Sequence, residues 1–102
     1  KLQYGAANLP ALTQYDQNFT LLVRTLNSWG HRLDELSQYP EAIAVLSFAV
    51  RIGSDIKATY QLLAKLYQQE GESQKIQELK ASAEQLNSLM KHPILTMLEQ
   101  ME

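Results

Sequence analysis

The chain has 102 residues, 45% of them hydrophobic and 20% charged, which is enough for one domain with one core and too apolar for a disordered chain. Nine Lys and Arg against 11 Asp and Glu leave a formal net charge of -2, so no strong positive field exists to collect nucleic acid. No cysteine is present, which excludes a disulfide framework and a thiolate metal site.

Leu, Ala, Gln, Glu and Lys dominate, and only four Gly and three Pro punctuate the chain. These are good helix formers, so the expected fold class is all-α with about five helices. Lys1 to Asn8 is weakly patterned and reads as a lead-in, with residues 1–9 outside the first periodic segment. Pro10 suits a first helical turn, where its missing N–H costs nothing. After it Leu12, Tyr15, Phe19, Leu22, Leu26, Trp29, Leu33 and Leu36 alternate spacings of 3 and 4. That stripe predicts one long helix of about 27 residues, roughly 40 Å at 1.5 Å per residue, with Trp29 in the core. Asp16 could cap a break, but the uninterrupted stripe favours a single helix.

Pro40 starts a second helix, with Ala42, Ile43, Leu46, Ala49 and Val50 on one face and Gly53 as its stop. Its run from Ala42 to Val50 is far short of the roughly 20 apolar residues that span a bilayer. Ser54 or Asp55 caps a third helix carrying Tyr60, Leu63, Ala64 and Tyr67, which ends at Gly71. Ser73 is the expected cap of a fourth helix, with Ile76, Leu79, Ala83 and Leu86 inward. His92-Pro93 opens a short last helix over 93–102 that is expected to cap the core. No signal segment opens the chain, and its start at Lys1 rather than Met suggests a piece of a longer protein. A cytoplasmic setting is expected, with tethering by an upstream segment left open.

A second order runs through the chain at a period of about 34 residues. Leu26, Trp29-Gly30 and Leu33 have counterparts in Tyr60, Leu63-Ala64 and Tyr67. Ala42, Leu46 and Ala49 correspond to Ile76, Lys80 and Ala83 at the same offset, and Ser37 to Gly71. This resembles the tetratricopeptide repeat, whose pattern is a large residue, Leu-Gly, Tyr, then Ala, a large residue, and Ala. The resemblance covers residues 23–88, about two repeats. Lys80 stands where the family places a large apolar residue, and Ser54 where it often has Pro. The resemblance implies one domain over 1–102 of antiparallel hairpins in a short right-handed superhelix. Small residues such as Gly30 and Ala64 would let helices approach, and large ones such as Leu46 and Tyr60 would fill the gaps.

Chemistry-bearing motifs are few. His31 has Asp34 and Glu35 one turn on, but no second histidine lies nearby, and a surface histidine is the plain reading. His92 fits a solvated turn or a helix start. Glu70 and Glu72 flank Gly71 in a turn and read as solvated. Asn18-Phe19-Thr20 matches a glycosylation sequon by chance, since Phe19 belongs to the buried stripe. No nucleophile elbow, phosphate loop, zinc motif or calcium loop is present, so no enzyme activity, cofactor or metal is expected.

The expectation is therefore a non-catalytic interaction or scaffold module with a protein or peptide partner. Family members bind partner segments in a concave groove lined by the first helices of successive units. Carried over, the resemblance implies groove positions at Arg24, Asn27, His31 and Asp34, then Ala58, Gln61, Lys65, Gln68 and Gln69. These do not include the paired Lys and Asn set that clamps a C-terminal carboxylate in some members. The alternative is a structural or self-association domain of a larger, membrane-anchored or free protein. It would be a homodimer made through the last helix or through the first, where Leu12, Tyr15 and Phe19 lack an obvious partner in a two-repeat core.

Overall fold

The structure, a computed structural model, describes the backbone of residues 9–101 and the side chains of residues 18–101. It is all-α. Among the described residues five helices follow in order: α1 (Leu9–Glu35), α2 (Tyr39–Arg51), α3 (Lys57–Gln69), α4 (Ser73–Glu84) and α5 (Lys91–Gln100). The lead-in Lys1 to Asn8 and the side chains of Leu12 and Tyr15 lie outside the described residues. The long first helix runs its 27 residues without a break at Asp16.

Each proline sits where a helix tolerates it. Pro10, Pro40 and Pro93 all fall in first turns, where an N–H has no intrahelical acceptor. Ser73 does not cap α4: Glu72 is the cap residue, Ser73 is already helical, and no side chain closes the turn. The chain instead enters α4 by the backbone route that it uses for α2. Gln38 (φ -97°, ψ 72°) and Glu72 (φ -99°, ψ 63°) take nearly one conformation.

That likeness extends through both turns. Ser37 and Gly71 have left-handed backbones, φ 61° and 72°. Gln38 N–H donates to Leu33 O at 2.8 Å, and Glu72 N–H to Tyr67 O at 2.9 Å. The second pair is the first shifted by one repeat period. This bond pattern satisfies carbonyls that the last helical turn would leave orphaned. Two later serines repeat in the same way. Ser54 Oγ accepts from Ile56 N–H at 3.2 Å, and Ser88 Oγ from Met90 N–H at 3.0 Å.

The helices form two layers. Closely packed pairs are neighbours in sequence or next but one: α1 with α2 and α3, α2 with α3 and α4, α3 with α4 and α5, and α4 with α5. Odd helices therefore lie side by side, with the even ones behind them. Leu46, Tyr60, Leu63, Leu66, Ile94 and Leu98 are almost wholly buried at the centre. Each such side chain contributes about 1.5–3 kcal/mol relative to staying in water. Tyr60 keeps its hydroxyl satisfied by donating to Ser54 O at 2.9 Å.

The short last helix caps the core, as expected, but it also carries the repeat register a step further. Ile94, Met97 and Leu98 stand one period beyond Tyr60, Leu63 and Ala64, and all six are buried.

The α1 stripe divides. Val23 and Leu26 are buried and Phe19 and Leu33 half-buried, whereas Leu22, Trp29 and Leu36 are 43%, 54% and 52% exposed. The cause is Gly30. A Cβ there would lie 2.4 Å from Leu46 Cδ2, so the backbone of α1 touches α2 at this point. The contact centres the buried arc on Val23 and Gly30, about 100° around the helix from Trp29. Trp29, expected in the core, thus lies outside it. Phe19 finds its neighbour at the α2–α3 turn, 3.9 Å from where a Cβ on Gly53 would be.

A candidate partner-binding face on the odd helices

The residues expected to line a groove fall on two neighbouring helices. Arg24, Asn27, His31 and Asp34 belong to α1, and Ala58, Gln61, Lys65, Gln68 and Gln69 to α3. One direct side-chain bond joins the two helices, through a residue outside the α3 set. Thr59 Oγ1 donates to Asn27 Oδ1 at 2.8 Å, and Thr59 is fully buried. The bond holds the middle of α1 beside the start of α3.

Their roles then separate. Asn27 is half-buried and occupied by Thr59. His31 is also half-buried, and its Nδ1–H donates to the Asn27 carbonyl at 2.8 Å, one turn back on the same helix. The Gln68 amide donates to Met101 O, which ties the end of α3 to the end of α5. Asp34 and Ala58 are half-buried. Arg24, Gln61, Lys65 and Gln69 are exposed. What faces solvent is two cations and two amides, suited to carboxylates, carbonyls and extended backbone.

Two clefts open on the described residues, and only the first touches this arrangement. One, of about 520 Å³, lies among the end of α3, the start of α4 and Met101, with Gln68, Ile76 and Gln77 in its wall. It opens beside Gln68 and so extends the odd-helix face. The other, about 290 Å³, sits where Arg51, Lys75, Glu78 and the Tyr67 ring meet. There the Lys75 ammonium stands 6.0 Å from the Tyr67 ring centroid. Burial, then Glu78 and Glu72, push the Tyr67 phenol above its ordinary value.

Sequence reasoning missed two polar links. Thr59 was hidden because a threonine inside a helix has no pattern of its own. Ser88, whose Oγ donates to Asp55 Oδ2 at 2.6 Å, binds the α4–α5 linker to the α2–α3 linker. Its signal was present in the sequence: Ser88 lies one repeat period after Ser54. Among the described residues no group of three His, Asp or Glu side chains could hold a metal ion. His31, Asp34 and Glu35 do not converge; Glu35 instead meets Arg32 at 3.2 Å on the surface. No described helix is long and apolar enough to cross a membrane.

No protein-family model matches the chain, and neither a curated protein nor a solved structure matches it.

Proposed function

We propose that the chain is a non-catalytic protein-interaction or scaffold module of tetratricopeptide-like hairpins, which holds a partner segment along α1 and α3. The carrying observation is the recurrence, one repeat period apart, of cap geometry and buried register positions. Supersecondary units repeated in this way stack into a layered array and leave one continuous face for a partner. On that face Arg24, Gln61, Lys65 and Gln69 are exposed. They offer donors and acceptors at helical spacing, with no structural bond of their own among the described residues.

The test uses a photo-crosslinking amino acid at Gln61 or Gln69, compared with one at Glu41 on α2, in the native cell extract. A partner trapped from α3 positions only, and lost with Gln61→Glu plus Lys65→Glu at unchanged helicity, supports the reading. Equal trapping from Glu41, or trapping that survives the charge reversal, sinks it. A second reading, self-association, rests on a different observation, the exposed apolar stripe on the other side of α1.

A further inference from the structure

The chain holds four asparagines, and two of them precede a serine, as Asn27-Ser28 and Asn87-Ser88. The fold treats the two pairs oppositely. Asn27 lies inside α1, where the Ser28 N–H belongs to the helical hydrogen-bond ladder. Its side chain is half-buried, and its Oδ1 accepts from the buried Thr59. Asn87 lies in the linker between α4 and α5, with its side chain exposed. Neither that side chain nor the Ser88 N–H has a hydrogen-bond partner among the described residues. Leu89, two residues on, is 97% exposed, so the linker stands open to water.

We propose that Asn87 is a site of spontaneous deamidation, and that its isoaspartyl product weakens the docking of α5. The reaction needs only water and no enzyme. The Ser88 backbone nitrogen gives its proton to solvent base and attacks Cγ of Asn87. A C–N bond forms, and the side-chain nitrogen leaves as ammonia. The resulting succinimide takes up water at either carbonyl and opens to aspartate or isoaspartate. The attacking nitrogen must be free of other bonds, the backbone must lie outside a helical ladder, and the next side chain must be small. Asn87 meets all three conditions and Asn27 only the last. Asn8 and Asn18 precede Leu9 and Phe19, whose bulk shields the nitrogen. Ser88 gives the change its consequence. Its Oγ donates to Asp55 Oδ2 at 2.6 Å and accepts from Met90 N–H at 3.0 Å. It thereby fastens the α4–α5 linker to the α2–α3 linker and shapes the turn into α5. Isoaspartate routes the backbone through the side-chain carbon, which lengthens it by one bond just before Ser88, and it adds a negative charge. Ser88 then loses the register that serves both bonds. This inference does not depend on the α1–α3 face.

Peptide mass spectrometry of the ageing chain tests the chemistry. Folded and guanidinium-denatured samples are kept in the same warm, mildly alkaline buffer until half of the denatured Asn87 has converted. Each conversion adds about one dalton, and electron-transfer fragmentation tells isoaspartate from aspartate. In denaturant the two Asn-Ser pairs should convert at similar rates. In the folded chain Asn87 should convert at least tenfold faster than Asn27. Ser88→Val, whose branched side chain shields the nitrogen, should slow Asn87 at least tenfold. Ser88→Ala, which loses the same hydroxyl but stays small, should not. The isoaspartyl form, separated by ion exchange, should exchange the amide hydrogens of α5 at least tenfold faster than the unmodified chain. The proposal is overturned if Asn87 survives in the folded chain while converting in denaturant, or if folded Asn27 keeps pace with it. Conversion indifferent to Ser88→Val also overturns it, as does α5 exchange that isoaspartate leaves unchanged.

Discussion

The two hairpins, α1–α2 and α3–α4, have one backbone plan and different side chains on it. Ser37 and Gly71 turn with the same left-handed φ, and the bonds that close the two turns are 2.8 and 2.9 Å long. Yet Gly30 is answered by Ala64, Leu46 by Lys80, and exposed Trp29 by buried Leu63. Burial is therefore set by a residue's place in the stack rather than by its type. The one indole of the chain lies outside because the contact of Gly30 with Leu46 turns Trp29 away from the core. A smaller Leu lies inside because α3 has neighbours on both sides.

Leu63→Ala against Trp29→Ala is the sharpest way to break that comparison. Leu63 is 1% exposed and should cost about 2–5 kcal/mol, the range for a Leu removed from a packed core. Trp29→Ala, measured dilute enough to be monomeric, should stay within about 1 kcal/mol, as for an exposed site. Equal losses in urea denaturation would mean that the two register positions do the same work.

Gly30→Ala comes next. Alanine favours a helix over glycine by about 1 kcal/mol. Here its methyl would meet Leu46 Cδ2 at 2.4 Å and Cγ at 2.6 Å, and Leu46 is fully buried with nowhere to go. The overpacking should win, with a net loss of about 1–3 kcal/mol. Leu46→Ala should partly rescue it, so that the double variant loses less than the sum of the two. Additive losses would show that the close approach carries no coupling.

Tyr60 links stability to pH. Burial first, then the charge of Asp55, raises its phenol from 10.0 to about 12. An unfolded chain releases that proton near 10.0, so above this pH the unfolded state binds fewer protons and stability must fall. The contribution is complete below pH 10 and is lost as the pH rises towards about 12. Tyr67 is shifted in the same direction and adds to the slope. Tyr60→Phe should flatten part of that decline in alkaline denaturation curves, while losing the bond to Ser54 O. An unchanged slope would place the effect elsewhere.

Helix positions were legible because composition, three prolines in first turns and Gly71 all mark the same boundaries. The face of α1 was not. A stripe alternating spacings of 3 and 4 is wide enough to hold two neighbouring lines, Phe19-Leu26-Leu33 and Leu22-Trp29-Leu36. Only contact with Leu46 decides which of them turns inward. The third step of the repeat register, into Ile94, Met97 and Leu98, was written in the sequence but masked because an aliphatic Ile94 answers Tyr60 and a large Leu98 answers Ala64. On the candidate face, spacing placed the residues on two neighbouring helices but did not reveal which polar groups are taken. Asn27 and Gln68 are engaged by Thr59 and Met101, partners that lie 32 and 33 residues away.

The smallest expected effect tests the shared turn itself. Ser37 holds φ 61°, a conformation costly for a side chain with a Cβ and free for glycine. Ser37→Gly should therefore stabilise the chain by about 0.5–1 kcal/mol, reduced somewhat by the greater freedom of glycine when unfolded. Gly71→Ser, at the matching position of the next unit, should destabilise by a similar amount. A Cβ at Gly71 would meet nothing within 4 Å, so only the backbone strain is at stake there. Exchanging both should leave the thermal midpoint nearly where it began, since each turn then takes the other's residue. If instead Ser37→Gly destabilises, the serine hydroxyl, which accepts from Tyr39 at 3.5 Å, holds the first turn in a way that the second does not need.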